Sequence, residues 1–409
     1  VLGRDGRKLH LSIDERITMS HSVRSSRTNS SQSRRLSFDL LESRTLLAGN
    51  VTANVVGGSL IVTGDDLDNR FIISQFQRPA GEFFLVAQGD DTTFNGQPNV
   101  VVNGVTKDIR ISTMGGNDAV GLVDVEVPGS LLFDGGEGNN DLVGRLFGRK
   151  TTTIGKHLTV TNGNGLDKTQ FDNASIRGNV NVTNGDGGSS TEFKGCELSS
   201  LTIQSGGGAD EVEVGETIVR KNLSVRSGDG DTEIDIEGTR VNGTTILESG
   251  AGFDETDIED NAVFNKKVVI MLGTGGSQTT MEQSSFRKGF VLQSLAGMDE
   301  VVIDSILVDG PVNLTLGDGD DVVRVDSPTP AHDSEAGHSI FRKPVNLNTG
   351  DGDDQVHIGV TGQPNDAADF QSNVIAVGGL GADLLDASAG NGNVFARAPR
   401  VSEFETIVP

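Results

Sequence analysis

The chain has 409 residues, 55 of them glycine, with neither Trp nor Tyr, a single cysteine and a formal net charge of −25. One cysteine excludes an intrachain disulfide and any cysteine-based metal cluster, and no apolar run approaches the about 18 residues that span a bilayer. Residues 1–50 hold nine Lys/Arg against five Asp/Glu, while the rest holds 24 against 53; so acidic a body excludes nucleic acid and anionic membranes as partners and suits cations.

Residues 1–49 are rich in Ser and Arg and carry no sustained periodicity, so a disordered segment is expected. Met19 is a candidate start. Arg34-Arg35 followed by a short apolar stretch and Ala48-Gly49 has the outline of an export signal, although Glu42 and Arg44 interrupt its apolar part. A short amphipathic helix over 36–47 is the alternative. The run Leu41-Glu42-Ser43-Arg44-Thr45-Leu46-Leu47-Ala48 resembles the Leu-Glu-Pro-Arg-x-Leu-Leu motif of large exported planctomycete proteins, with Ser43 in place of Pro. The resemblance covers the N-terminal segment alone and implies a secreted or cell-surface location.

Residues 50–108 alternate in short stretches, at Ser59–Thr63, Arg70–Ser74, Glu82–Val86 and Val100–Val102, with Gly-Asp-Asp turns at 64–66 and 89–91. This predicts an antiparallel β cap or irregular first coils.

From residue 109 to 393 the chain repeats. One glycine marks each unit: Gly116, Gly138, Gly165, Gly187, Gly208, Gly230, Gly252, Gly275, Gly297, Gly319, Gly352 and Gly381. Between Gly165 and Gly319 every spacing lies within one residue of 22. Apolar pairs keep the same frame. Leu201/Ile203 and Val268/Ile270 stand seven and five residues before the glycine, Val212/Val214 and Val301/Ile303 four and six after it, and Ile176, Leu198, Val219, Val241, Val263, Phe286 and Val308 eleven after it. A spacing of two puts both side chains of a pair on one face of a strand. Three such patches per unit predict an all-β parallel β-helix of about 22 residues per turn, right-handed and three-sided, because one unit cannot bury its apolar faces without neighbours. At about 4.8 Å per turn, twelve turns make a rod on the order of 55–60 Å long. Gly is expected at each corner for its access to positive φ. The longer spacings at the end place loop insertions near 326–341 and 359–372, and residues 394–409 are expected to form a C-terminal cap.

Candidate chemistry sits at the acidic corner. Two residues after the glycine stands Asp in eight units: Asp118, Asp167, Asp210, Asp254, Asp299, Asp321, Asp354 and Asp383. The densest corners add Asp318 and Asp320, then Asp351 and Asp353. Stacked turns would hold these carboxylates a few ångströms apart, and a hard cation such as Ca²⁺ would relieve their repulsion. The competing reading is a structural cap in which each Asp accepts local backbone N–H groups. Gly378-Gly379-Leu380-Gly381-Ala382-Asp383-Leu384-Leu385-Asp386 resembles the Gly-Gly-x-Gly-x-Asp calcium repeats of RTX toxins and proteases, which implies calcium ligation there. The RTX motif recurs every nine residues, whereas this corner recurs every 22. The candidate metal set is therefore Asp318, Asp320, Asp321, Asp351, Asp353, Asp354, Asp383 and Asp386. Glu211, Glu233, Glu255 and Glu300 have outward parity and read as a solubilising row. His332, Asp333, Glu335 and His338, with His357, match no zinc spacing.

No nucleophile elbow, His-Glu-x-x-His or Walker loop occurs. The expected function is that of an exported structural or surface-interaction protein without catalytic activity, its cell-surface or matrix partner unidentified. A polysaccharide lyase or hydrolase is one alternative, disfavoured by the lack of Trp and Tyr for sugar stacking. An adhesin acting through the loops at 326–341 and 359–372 is the other.

Overall fold

The computed structural model describes residues 49–75, 78–88, 92–145, 151–327, 338–359, 367–387 and 392–408. The expected export segment, its planctomycete-like motif and the helix alternative at 36–47 lie outside these residues, as do the turn at 89–91 and His332, Asp333 and Glu335.

The described chain is all-β, with strands gathered into sheets of 26 and 16 strands. Beyond residue 108 all strand pairing is parallel, and each strand pairs with its counterpart in the next repeat. Leu201–Gln204 lies opposite Leu223–Arg226, and Asp210–Gly215 opposite Thr232–Glu237. Each repeat supplies three strands. In the repeat of Asp210, the first strand is Asp210–Gly215 in the 16-stranded sheet. The second and third are Ile218–Val219 and Leu223–Arg226. Beyond residue 108 the larger sheet thus consists of two parallel ladders. The long strands Ser175–Thr183 and Glu197–Gln204 run through both and join them.

Alternation explains what each strand buries. In Thr232–Glu237 the side chains of Thr232, Ile234 and Ile236 are buried, and Glu233, Asp235 and Glu237 point outward. The inward side chains of all three ladders meet in one continuous apolar cluster. Aromatic residues stack along it: Phe171 on Phe193 at 5.7 Å, and Phe341, Phe370 and Phe395 in a column with centroids 4.9 and 5.0 Å apart. Phe370 has a ring on both sides, so Phe370→Ala opens a gap that parallel strands cannot close. We expect a loss of about 3–5 kcal/mol, read from the urea midpoint.

The expected positive φ occurs at six corner glycines, Gly116, Gly138, Gly252, Gly297, Gly319 and Gly352, and the others are glycine for a different reason. Gly275 has no positive φ, yet a Cβ there would lie 1.6 Å from the carbonyl oxygen of Gly252. Close stacking of backbone on backbone demands glycine at such corners. At Gly319 both demands coincide, with φ at 154° and a Cβ that would lie 1.7 Å from the Gly297 carbonyl oxygen.

Three further details depart from the sequence expectations. Val263 is only half-buried, and Phe264 takes the core position opposite Val241. The repeat has one extra residue, taken up by Asp260 and Asn261 with φ of 54° and 65°. Residues 394–408 add three more strands in parallel register instead of forming a distinct cap, with Phe395 opposite Phe370. Both insertions are narrower than expected, because Ile340–Phe341 and Asp369–Phe370 belong to the ladder. At the other end the chain also pairs antiparallel, Thr52–Val56 with Ser59–Thr63 and Phe71–Ser74 with Phe84–Ala87, beside the parallel pair of Gly49–Val51 with Thr92–Phe94.

Candidate functional site

The acidic corner lies where each repeat enters its first strand. The residue two after the corner glycine has inward parity and is buried in every repeat. Following one repeat to the next, and starting from the equivalent Asn69 before the first corner glycine, this position reads Asn69, Asp118, Asn140, Asp167, Ser189, Asp210, Thr232, Asp254, Ser277, Asp299, Asp321, Asp354 and Asp383. Up to Asp299 a carboxylate alternates with a neutral polar side chain. From Asp299 to Asp383 four carboxylates follow in succession.

One hydrogen bond explains the choice of residue. The backbone N–H groups of Asn69, Asn140, Asp299, Asp321 and Asp354 point along the stack and meet the Asp side chain of the next repeat, whereas those of Asp167, Ser189, Asp210, Thr232, Asp254 and Ser277 meet a main-chain carbonyl there. Asn69 N donates to Asp118 Oδ1 at 2.7 Å and Asn140 N to Asp167 Oδ1 at 2.9 Å. Asp299 N donates to Asp321 Oδ1, Asp321 N to Asp354 Oδ1 and Asp354 N to Asp383 Oδ1, at 2.9, 2.9 and 3.0 Å. Neutral members add a hydroxyl: Ser189 and Ser277 donate to Asp210 and Asp299, each at 2.7 Å. The carboxylates of Asp118, Asp167, Asp321, Asp354 and Asp383 therefore cap the backbone of the neighbouring repeat and not the local turn, while Asp210 and Asp299 accept a serine hydroxyl of the preceding repeat and Asp254 accepts the Ser249 hydroxyl.

Each carboxylate has a second oxygen. In Asp118, Asp167, Asp210, Asp299, Asp321, Asp354 and Asp383 it is Oδ2, and in Asp254 it is Oδ1. All eight are buried without a hydrogen-bond partner among the described residues, on side chains at most 3% exposed. Such an oxygen costs free energy unless something neutralises it. Burial accordingly pushes the carboxyls up, to about 6 for Asp118, Asp167, Asp210 and Asp254. Asp321 rises to about 7, through burial and the charges of Asp299 and Asp354 on either side.

The eight residues expected to ligate metal divide into separate groups. Asp321, Asp354 and Asp383 belong to the buried column. Asp320, Asp351 and Asp353 are exposed, and their carboxylates accept the backbone N–H of Asp353, Leu380 and Ala382 in the following repeat. Asp318 is exposed, and its main-chain oxygen accepts the Gly297 N–H. Asp386 lies opposite His357 on the outer face, away from the column. Among the described residues no three His, Cys, Asp or Glu side chains converge to hold one metal ion. Asp299 heads the run of four and was not in the expected set. The signal that finds it is the unbroken inward Asp at one position in consecutive repeats, not the local density of acidic residues.

The outer face of the same strands carries its own pattern. Glu211, Glu233 and Glu255 stand opposite one another, followed by Gln278 and Glu300. Beside them Glu213, Asp235 and Asp257 form a second row. Burial, Asp257 and Glu233 together push Asp235 up to about 7. Arg324 pairs with Glu300 at 3.1 Å and Lys194 with Glu213 at 3.2 Å.

The remaining candidates do not gather into a site. His338 is exposed, and burial lowers the His357 ring below the usual range. Cys196 donates to the Phe171 carbonyl at 3.2 Å, and burial raises its thiol to about 12, which makes it an inert core residue. No helix among the described residues is long and apolar enough to cross a membrane. No family model matches the chain, and neither a curated protein nor a solved structure does.

Proposed function

We propose that the chain is an exported structural or surface-interaction protein without catalytic activity. In this reading it is a right-handed, three-sided parallel β-helix of about 22 residues per turn, stabilised by calcium. The observation that carries the reading is the run Asp299, Asp321, Asp354 and Asp383, in which each carboxylate accepts one hydrogen bond from the preceding repeat and leaves a buried oxygen over. Adjacent repeats lie about 4.8 Å apart, where two unit charges at an effective dielectric of about 20 repel by about 3–4 kcal/mol. Four ionised carboxylates in a row therefore need counter-charge.

In this reading a hard cation lies between successive repeats. The leftover carboxylate oxygens of the bounding repeats would be its ligands, with main-chain carbonyls of the corner beside them. Calcium takes six to eight oxygens in flexible geometry, so carbonyls and water would complete a shell that the side chains only begin. Bound there, calcium would supply charge neutralisation and a cross-tie along the stack. The alternating stretch from Asp118 to Ser277 spaces its charges two repeats apart and has less need of it.

Calorimetry on the full chain, stripped with chelator, tests the reading. Millimolar or tighter calcium binding is expected, with a melting temperature that rises with calcium by several degrees. Asp354→Asn, which keeps an acceptor for the Asp321 N–H but removes the charge, should abolish most of the rise. An absence of heat together with an unchanged melting temperature at millimolar calcium would overturn it.

A second reading, adhesion through loops, has its own support. Both insertions fall between the same two ladders in adjacent repeats. Val322–Val325 and Gln355–Ile358 are paired before them, and Ile340–Phe341 and Asp369–Phe370 after them. Removing residues 328–337 and 360–366 should leave the melting temperature near that of the parent and abolish attachment to cells or matrix.

A further inference from the structure

The chain holds one surface feature that its proposed scaffold role does not use. An open groove of about 530 Å³ runs along the corner between Leu166 and Phe253. Its two ends are apolar and solvent-facing, Leu166 at 68% and Phe253 at 50% exposure. The repeats between them place Gly188, Ala209 and Asp231 at the same corner position, so the floor lacks large side chains. A Cβ on Gly188 would lie 2.7 Å from the Ala209 carbonyl oxygen and 3.1 Å from Leu166 Cδ2. Glycine there keeps the floor low beside Leu166.

One wall of the groove is a register-locked row. Lys168 lies opposite Ser190, Ser190 opposite Glu211, Glu211 opposite Glu233 and Glu233 opposite Glu255. The three glutamates are spaced by about 4.8 Å. Burial and the flanking charges of Glu255 and Glu211 raise the Glu233 carboxyl. No Lys or Arg of the described residues pairs with any of the three, although the nearby Glu213 has Lys194. Asp167 and Asp210 border the groove as well, but their side chains are buried, each 3% exposed, and belong to the inward column.

We propose that this groove binds an extended, basic polypeptide segment. Leu166 and Phe253 are four repeats apart, about 19 Å, which matches roughly six residues of extended chain at about 3.3 Å each. The row of Glu211, Glu233 and Glu255 takes Lys or Arg side chains, the low floor admits the peptide backbone, and the apolar ends take aliphatic side chains. Charge complementarity selects the ligand class: three ordered carboxylates without a cation of their own, on a face whose neighbouring row is also acidic. The proposal rests on the surface-interaction reading and is independent of calcium at the buried column.

The test is fluorescence anisotropy of the full chain with a labelled heptapeptide alternating Lys and Val, at about 0.15 M salt. Saturable one-to-one binding is expected. The triple variant Glu211→Gln, Glu233→Gln, Glu255→Gln should weaken it by about tenfold, the combined effect of three exposed ion pairs. Phe253→Ser should weaken it by about threefold at unchanged net charge. The control Glu259→Gln, Glu237→Gln, on the far edge of the same face, should bind as the parent does. Equal losses in control and groove variants, or insensitivity to Phe253→Ser, would mean diffuse attraction to an acidic surface and would overturn the proposal. Displacement by spermine at the peptide's own affinity would reassign the groove to linear polyamines and also overturn it. Circular dichroism of every variant separates loss of binding from loss of fold. If the groove variants still attach to cells or matrix as the parent does, the surface-interaction reading stands and the groove alone fails.

Discussion

Gly275→Ala will destabilise the protein by about 3–5 kcal/mol, the range reserved for core disruption, while Gly207→Ala will leave it unchanged or stabilise it slightly. Neither glycine has a positive φ, so an argument from backbone freedom treats them alike. Their surroundings differ. A Cβ on Gly275 would lie 1.6 Å from the Gly252 carbonyl oxygen, 2.2 Å from its carbon and 2.5 Å from its nitrogen, and all three atoms are main chain. No rotamer change relieves that contact. The two repeats must separate, and their ladder hydrogen bonds stretch with them. A Cβ on Gly207 meets nothing within 4 Å, and the alanine gains up to about 1 kcal/mol by restricting the unfolded chain. Urea melts of the two variants beside the parent measure the difference. Equal stability of the two would show that stacking does not govern the corner.

In metal-free buffer the protein will be more stable at pH 4.5 than at pH 7.5, the reverse of ordinary acid denaturation. The column carboxyls are raised in the fold, from 3.8 to about 6 at Asp118, Asp167, Asp210 and Asp254 and to about 7 at Asp321. A carboxyl raised on folding is protonated more readily in the native state. Its stabilising contribution is fully present below pH 3.8 and is lost as pH rises through 6 to 7. Screened by solvent, each contributes about 1 kcal/mol, so several together shift stability by several kcal/mol. At Asp309 slight burial raises the carboxyl, but Arg287 and Arg342 outweigh it and hold the group below its usual range. It works in the opposite sense and loses its contribution only in stronger acid. Melting temperature against pH checks the sign. Calcium in the column would hold the carboxylates ionised and flatten the profile, so the same scan with calcium present separates proton from cation.

Much of the parallel architecture was legible because its signal is repeated. One apolar pair at spacing two is weak, but Leu201/Ile203, Leu223/Val225 and Val268/Ile270 in one frame leave a single consistent register. The frame failed at Val263, where one added residue moved Phe264 inward, because periodicity does not say where an extra residue is absorbed. It failed again at 394–408, where sparse apolar residues still pair in register; pairing to an existing edge needs less apolar surface than starting one. Of the candidate site, the inward parity of the aspartates was readable, and so was the outward row of glutamates. The division between Asp320 and Asp321 was not, because adjacent residues in a turn become buried or exposed according to the neighbouring repeat. The groove was invisible too, since it arises from small residues at Gly188 and Ala209 between two large ones that are distant in sequence.

The alternation of Asp with Asn, Ser or Thr between Asp118 and Asp299 gives the stack two different periods. The backbone repeats after one unit and the charge after two. Excising a single unit, such as the one that carries Thr232, would preserve every class of hydrogen bond yet bring Asp210 directly against Asp254. Excising two consecutive units would not. In this stretch the smallest heritable change of length that electrostatics tolerates is a pair of repeats, so growth or shrinkage by duplication is expected to proceed in steps of two.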